Sequence, residues 1–164
     1  GMSMGKSVMV GGAAMLPSRN IVQNAANSKD HTTLVAAVKA ADLVDTLSSK
    51  GPFTVFAPTN EAFAALPAGT VDTLLKPENK ATLTKVLTYH VVAGKMTAKD
   101  LMKAVKEGGG KASLKTVEGD SLTVTQDGKR LDVTDDKGNV AHVTIGDVMQ
   151  SNGVIHVIDK VLMP

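Results

Sequence analysis

The four histidines are the side chains with which this 164-residue sequence could do acid–base or metal chemistry. His31, His90, His142 and His156 lie far apart along the chain, whereas zinc ligands usually show short local spacings such as H-E-x-x-H. Nucleophilic catalysis lacks its residues too, because the sequence has no cysteine and no G-x-S-x-G motif. We therefore expect no metal site, no cofactor and no enzymatic activity, which leaves a binding function.

The stretch LTYHVV, residues 87–92, holds the only tyrosine of the chain next to a histidine. His90 has apolar residues three, four and seven positions before it, the spacing of one helix face, so its ring is expected to point into the core. A buried imidazole needs a hydrogen-bond partner, which we expect in Asn60 or in the backbone around Thr59. Tyr89 falls on a neighbouring stripe, which predicts a ring at the margin of the core. Of the two, Tyr89 is the better candidate for touching a partner.

Four residues near a predicted strand end and a predicted turn are interpreted as structural. The stretch FTVFAP, residues 53–58, alternates like a strand and ends at a proline, and Thr59 can cap the helix that starts with Asn60. A Ser-Asn-Gly turn precedes the last apolar stretch, where Gly153 gives the backbone freedom or allows close approach. His156, inside that apolar stretch, is expected to serve the core.

Positive charge is concentrated in the middle of the chain, although the formal net charge is only +2. Residues 76–115 contain nine lysines, opposed by three acidic residues. The helix predicted for TAKDLMKAVKE starts with a capping box at Thr97 and exposes Lys99, Lys103 and Lys106. This basic face has two interpretations: a solvated helix surface, which is the commoner one, or a salt-sensitive site for an anionic polysaccharide. The small net charge and the scarce aromatic residues argue against a nucleic-acid partner.

The order of the predicted elements indicates an α+β fold. Helical spacing prevails in the first two-thirds, where Asp30 is expected to cap a helix whose apolar stripe begins at Leu34. The last third alternates apolar and polar residues in short strands separated by turn pairs such as Asp127-Gly128, which is typical of an antiparallel meander. The terminal stretch GVIHVIDKVLMP is almost wholly apolar, which predicts a central strand buried on both faces. Helices followed by strands favour the α+β class.

The chain is expected to form one domain over residues 17–164. Gly1 before Met2 is typical of a tag remnant, and the short, glycine-broken stretch up to residue 16 is interpreted as that remnant and a flexible N-terminus. No apolar run approaches the ~18 residues of a membrane span. We therefore expect no membrane span in this chain. The chain is also expected to be a monomer.

Three stretches, in order, resemble the conserved blocks of the fasciclin domain family. FTVFAPTNEAF at 53–63 is similar to the first block, LTYHVV at 87–92 to the tyrosine–histidine motif, and SNGVIHVIDKVLMP at 151–164 to the second block. The stretch GGAAMLPSRNIVQNAANS is similar to the start of bacterial single-domain members, which include mycobacterial secreted antigens. The resemblance implies a fasciclin-like fold, in which an N-terminal helical layer packs on a β-wedge of short, mostly antiparallel strands.

The resemblance also implies a non-enzymatic adhesion module of the cell surface or extracellular matrix, which binds a surface protein or polysaccharide weakly. In animal relatives the tyrosine–histidine motif and an aspartate–isoleucine pair before the second block have been proposed as integrin contacts. These correspond here to Tyr89 with His90 and to Asp147 with Val148, where a valine replaces the isoleucine. Asn60 stands where family members often have aspartate. The implied location is secreted, periplasmic or cell-surface.

Overall fold

The computed structural model describes residues 7–164, in which short helices alternate with strands before the chain ends in an antiparallel meander. The helices are α1 (Ile21–Asn27), α2 (Thr32–Ala40), α3 (Val44–Ser48), α4 (Asn60–Ala64), α5 (Thr70–Leu74), α6 (Lys80–Thr88) and α7 (Ala98–Glu107), with a 3-10 turn at Pro77–Asn79. The strands are β1 (Val8–Val10), β2 (Ala13–Met15), β3 (Phe53–Pro58), β4 (Val91–Ala93), β5 (Lys111–Lys115), β6 (Ser121–Asp127), β7 (Arg130–Thr134), β8 (Val140–Gln150) and β9 (Gly153–Ile158). The α+β prediction is confirmed.

The start of α7 is the capping box predicted from the sequence. The Thr97 hydroxyl accepts a hydrogen bond from the Asp100 N–H at 3.3 Å, and the Asp100 carboxylate accepts one from the Thr97 N–H at 3.0 Å. Both groups would otherwise be unpaired at the helix end. The helix ends at Glu107, and Gly108, the first residue of the glycine run, is its C-cap, as expected.

A long-range contact caps α2, and Asp30 does not. The N-cap residue is His31, whose side chain makes no capping hydrogen bond. The amide oxygen of Asn60, from the start of α4, accepts hydrogen bonds from the Thr33 N–H at 3.0 Å and the Thr32 hydroxyl at 3.2 Å. The prediction for Asp30 was wrong because local sequence gives no information about a cap supplied from another helix.

Seven strands form one sheet in the order β4-β3-β9-β8-β7-β6-β5. Its neighbouring strands are antiparallel except for one interior pair, in which β3 runs parallel to β9 with Phe53 opposite Gly153. Strand β8 is irregular against β9, with register shifts between Val143 and Ile145 and between Ile145 and Val148. Such bulges bend a strand and redirect its side chains.

The central strands β3 and β9 are buried on both faces and divide the core into two apolar clusters. On one face, Val55 and Ile155 pack with side chains of α1–α4 and α6 in the first apolar cluster. On the other, Phe56 and Ile158 pack with side chains of α7 and β5–β8 in the second apolar cluster. This two-sided burial explains why β9 is apolar without alternation, and it confirms the prediction of a central strand.

The segment before residue 16 is folded wherever the structure describes it. Strands β1 and β2 form a hairpin in which Val10 and Met15 are each only 1% exposed. Gly11 and Gly12 have φ angles of 60° and 79°, the left-handed conformation that a two-residue hairpin turn requires. The prediction of a flexible N-terminus is therefore wrong for residues 8–15, because the glycine pair is a turn signal. The tag-remnant interpretation falls mainly on residues 1–6, which lie outside the described residues.

Candidate functional site

Tyr89 is fully buried, with 0% of its surface exposed. Its hydroxyl donates a hydrogen bond to the Ser121 carbonyl at 3.0 Å and accepts one from the Asp136 N–H at 3.1 Å. Burial raises the pKa of Tyr89 to about 12, so the phenol stays protonated. The prediction that Tyr89 lies at the core margin is wrong, because its ring lies in the second apolar cluster below two turns of the meander. In this conformation Tyr89 cannot touch a partner directly.

His90 is buried as predicted, at 2% exposure, but with different partners. Its Nε2 accepts a hydrogen bond from the Leu162 N–H at 2.9 Å, so the ring proton is on Nδ1, which donates to the Val86 carbonyl at 2.8 Å. Neither Asn60 nor the backbone at Thr59 hydrogen-bonds to the ring. Burial lowers the pKa of His90 to about 4, and the imidazole is neutral at pH 7. His90 thus joins the end of α6 to the C-terminal segment.

Asp147 is the exposed member of the second candidate pair, and Val148 is buried in the first apolar cluster. Asp147 lies at the irregular part of β8 with a left-handed φ of 56°. Its Oδ1 accepts a hydrogen bond from the Ala98 N–H, the first of α7, at 2.7 Å. A carboxylate at this position satisfies one of the unpaired N–H groups of the helix end and complements the helix dipole. Asp147 therefore fixes the start of the helix that carries the basic face.

His156 supports this arrangement from below, and it is buried as the apolar strand around it predicts. Its Nδ1 accepts a hydrogen bond from the Asp147 N–H at 3.2 Å, and its Nε2 donates to the Met96 carbonyl at 2.8 Å. The ring stacks on Phe56 at 5.7 Å between centroids. Burial lowers the pKa of His156, which keeps the ring in the neutral form that both hydrogen bonds require.

Thr59, Asn60 and Gly153 have the structural roles expected, although Asn60 has more partners than predicted. The Thr59 hydroxyl caps α4 by accepting a hydrogen bond from the Ala62 N–H at 3.2 Å. Besides capping α2, Asn60 donates from its amide nitrogen to the Lys29 carbonyl at 2.7 Å, which a carboxylate could not do. Gly153 lies so close to β3 that a Cβ atom would be 1.9 Å from the Phe53 carbonyl oxygen.

Lys99, Lys103 and Lys106 are exposed on α7, as helical spacing predicts. They line a groove of about 610 Å³ between α7 and the turn joining β6 to β7, with Met102 and Val105 beneath them. A second groove, of about 310 Å³, shares Met102 and extends past Lys129 to Asp147. The structure thus brings the basic face and Asp147 onto one continuous surface, called here the α7 surface.

Among the described residues, the side chains that could do chemistry form isolated pairs and no larger cluster. The Ser28 hydroxyl pairs with Nδ1 of His31 at 2.9 Å, and Oδ1 of Asp132 pairs with Nδ1 of His142 at 2.7 Å. Within residues 7–164, no three His, Cys, Asp or Glu side chains come together as metal ligands. None of the helices in that range combines the length and apolar character needed to cross a membrane.

An apolar cavity lies between the helical layer and β3, with His90 in its wall. Its volume is about 30 Å³, enough for one or two water molecules. Pockets for organic cofactors are usually about 300–1,000 Å³. The cavity is therefore a packing void and offers no room for a cofactor.

Buried amides are the structural residues that sequence reasoning missed. Asn152 accepts a hydrogen bond from the Ile21 N–H at 3.0 Å and donates to the carbonyls of Leu47 at 2.7 Å and Ser49 at 2.8 Å. Asn24 donates to the Gln150 side chain at 2.6 Å. The sequence showed Asn152 only as a turn residue, since its partners lie more than 100 positions away.

Replacing Asp147 by alanine is expected to destabilise the chain by about 1–2 kcal/mol. The change removes the acceptor for the Ala98 N–H, and alanine tolerates the left-handed φ poorly. Urea unfolding at pH 7 measures the effect. Asp147→Asn is the control, because asparagine keeps an acceptor and accepts positive φ readily, so it should lose much less stability. Equal unfolding midpoints for Asp147→Ala and the unmodified chain would show that this contact contributes nothing.

Comparison with known proteins places these features in one family. The fasciclin domain model matches residues 29–164. Protein sll1483 of Synechocystis is 56% identical over 160 residues, covering 97% of this chain and 81% of that protein. Immunogenic protein MPB70 of Mycobacterium bovis is 43% identical over 145 residues, covering 85% of this chain and 66% of that protein.

A solved structure shows the same fold. It is a FAS1 domain pair from the insect cell adhesion molecule fasciclin I, which superposes with a TM-score of 0.80 at 22% sequence identity. The match covers 89% of this chain and 51% of the other, as expected if the chain corresponds to one domain of the pair. From the family match, the similar relatives and the shared fold together, we conclude that this chain belongs to the fasciclin domain family.

Proposed function

We propose that this chain is a non-enzymatic adhesion module that binds a surface protein or polysaccharide weakly. We also propose that it is a monomer that works outside the cytoplasm, in a secreted, periplasmic or cell-surface location. Its fold is that of an insect cell adhesion molecule, and it is similar to an immunogenic mycobacterial protein. Membership of the fasciclin domain family gives general support for the proposal. The positions of the family-motif residues in the structure give specific support.

The observation that carries the proposal is that most candidate residues of the family motifs are buried, whereas Asp147 and the lysines of α7 are exposed. Tyr89, His90, Val148 and His156 are all hydrogen-bonded or packed inside the domain. His156 accepts a hydrogen bond from the Asp147 N–H and donates one to the Met96 carbonyl. Met96 precedes α7 in the chain, and Asp147 caps its first N–H, so His156 fixes the start of the helix. We therefore assign adhesion to the α7 surface, with Tyr89 and His90 as supports of the fold and Asp147 as the exposed contact.

Weak single contacts are compatible with adhesion because a crowded surface presents many copies. Linking or clustering modules raises apparent affinity by about 10²–10⁴ without any new contact. The α7 surface offers few apolar side chains, so a single module is expected to bind only in the micromolar range or more weakly.

A second candidate function is salt-sensitive binding of an anionic polysaccharide through the basic face. The specific observation in its favour is the groove beside α7. Its lining includes Lys99, Lys103 and Lys106, which form no ion pair with any residue between 7 and 164. This candidate is an alternative to a contact through Asp147, because that carboxylate would repel an anionic ligand.

Asp147→Asn is expected to weaken binding to intact cells or matrix at least threefold while leaving the fold intact. The amide retains the contact to α7 but removes the exposed charge, whose Oδ2 makes no hydrogen bond within residues 7–164. Binding is measured by titrating labelled protein, singly and on multivalent beads, against a surface preparation. Asp72→Asn on the exposed side of α5 is the matched control and should bind as the unmodified chain does. Absence of saturable binding at high micromolar concentration, even on beads, would refute adhesion.

A further inference from the structure

We infer that the groove between α7 and the β6–β7 turn binds a linear polysaccharide that carries carboxylate or sulfate groups. This inference deepens the second candidate function and rests on it. It assigns the ligand to a defined surface and gives the lysines of α7 the main role.

The lysines form a regular row along the groove. Lys99, Lys103 and Lys106 follow one another at intervals of four and three residues, which places them on one side of α7. At 1.5 Å rise per residue, they are about 6 Å and about 4.5 Å apart along the helix axis. A row of point charges at this spacing matches a ligand whose own charges repeat along a chain.

The groove has one sign of charge. The residues that line it are Lys99, Met102, Lys103, Val105, Lys106, Gly110, Gln126 and Gly128, and none of them is acidic. The acidic residues closest in sequence have contacts of their own: Asp100 caps its helix while its charge also acts on Lys99 and Lys103, and Asp127 pairs with Arg130 at 3.1 Å. Glu107 is exposed at the last position of α7 and does not line the groove. The lysine ammonium groups therefore face the groove without a neutralising carboxylate among its lining residues.

The adjoining groove contains a further cation. Lys129 lies in the adjoining groove, which shares Met102 and continues toward Asp147. Lys129 is exposed and forms no ion pair within the described residues, whereas Arg130 is held by Asp127 and Asp132. A chain-like ligand that extends from the first groove into the second would meet this further positive charge, with Asp147 as the carboxylate that lines the second groove.

The residues that line the groove favour an anionic polysaccharide over a folded protein or a single-stranded nucleic acid as the ligand. A folded protein partner usually needs a buried apolar centre with aromatic or arginine anchors, and this groove offers only Met102 and Val105. Single-stranded nucleic acid needs aromatic stacking surfaces, and none of the residues lining either groove is aromatic. Lysines act as mobile point charges without the rigid fork of arginine, which suits recognition by charge density. An anionic linear polysaccharide needs neither a buried apolar centre nor aromatic stacking, and mobile point charges are enough to bind it.

The test uses the full 164-residue chain and four probes: polygalacturonate for carboxylates, dextran sulfate for sulfates, single-stranded DNA for nucleic acid and neutral dextran as control. We expect binding to one or both anionic polymers and none to dextran. Engagement of three lysines should weaken binding roughly 100-fold between 20 and 200 mM KCl, by the release of counterions from the polymer. Carboxylate and sulfate sources are distinguished by which polymer binds more tightly.

The matched variants carry the same loss of net charge. The triple variant Lys99→Gln, Lys103→Gln, Lys106→Gln should lower affinity at least tenfold, whereas Lys39→Gln, Lys76→Gln, Lys85→Gln should stay within about twofold of the unmodified chain. All six lysines are exposed, and thermal unfolding of each variant checks that the fold is kept. Equal losses in the two triple variants, binding to neutral dextran, or tighter binding to single-stranded DNA would overturn the inference. Saturable adhesion to cells without binding to either anionic polymer would overturn it too, while leaving adhesion itself intact.

Discussion

Replacing Gly153 by alanine is expected to lower the free energy of unfolding by more than about 4 kcal/mol, an unusually large loss for one methyl group. A Cβ atom at Gly153 would be 1.9 Å from the Phe53 carbonyl oxygen and 2.8 Å from the nitrogen and carbonyl carbon of the same residue. These are backbone atoms of the neighbouring strand, so no side-chain rotation relieves the overlap. Because Phe53 and Gly153 begin the parallel pairing of β3 with β9, the strands must separate where both core clusters meet.

Gly119→Ala separates this overlap from backbone strain. Gly119 also has a positive φ, 119°, but no atom lies within 4 Å of a Cβ built there. The control should therefore lose only the cost of a left-handed residue, about 1–2 kcal/mol. Urea unfolding of both variants gives the comparison, and thermal unfolding suffices if Gly153→Ala is too unstable for a full curve. Equal losses in the two variants would show that strain alone explains the effect and that the close approach to β3 is relieved elsewhere.

Local pattern predicted those elements whose cause lies within a few residues. The capping box at Thr97 and the glycine run after Glu107 bound α7 in the sequence as they do in the structure. The apolar run of β9 indicated two-sided burial, because only a central strand lacks a polar face. Helical spacing also placed the three lysines of α7 on the solvent side, so the most exposed part of the candidate site was predictable.

Long-range partners could not be predicted, because nothing in a single sequence relates positions far apart. The burial of His90 followed from its spacing, but its actual partner Leu162 is 72 positions away. The Tyr89 hydroxyl bonds to Ser121 and Asp136, which lie 32 and 47 residues later, and local spacing does not reveal these partners. The groove beside α7 is likewise formed only when the β6–β7 turn packs against the helix.

The irregularity of β8 explains why Asp147 was only a candidate by resemblance. A left-handed residue in a strand is uncommon outside glycine and asparagine or aspartate, so Asp147 fits the position chemically. Its function of holding α7 depends on the bulge that turns it there, together with His156 on the neighbouring strand. Residue type was therefore visible in the sequence, and its orientation was not.

Replacing His90 by alanine is expected to cost about 3–5 kcal/mol at pH 7. The change leaves the Leu162 N–H and the Val86 carbonyl without the ring that pairs them, and it opens a cavity beside the void already present under the helical layer. His90→Gln retains a donor and an acceptor and should lose less. A variant that kept its melting temperature but lost surface binding would show that His90 acts at an interface and not in the core.

Acid should remove about 3 kcal/mol of stability through His90 in the unmodified chain. The ordinary histidine pKa of 6.5 is lowered to about 4 in the folded state by burial, so the unfolded chain takes up the proton first as pH falls. The stabilisation is therefore complete above pH 6.5, declines below it and is lost by about pH 4. Burial lowers the pKa of His31 and His156 as well, which adds losses of the same sign. The lowered pKa of Asp100, caused chiefly by the Thr97 N–H, acts below 3.8, outside this range.

Urea unfolding at pH 7, 5.5 and 4 tests this linkage. His90→Gln should show a shallower fall in stability between pH 6.5 and 4, because glutamine does not titrate, although His31 and His156 leave part of the slope. Leu83→Ala is the matched control: it removes a buried side chain from α6, should cost about 2–5 kcal/mol, and leaves every histidine in place. It must therefore keep the full pH slope at lower stability. If His90→Gln and the unmodified chain lose stability in parallel as pH falls, His90 is not the group whose protonation opens the core.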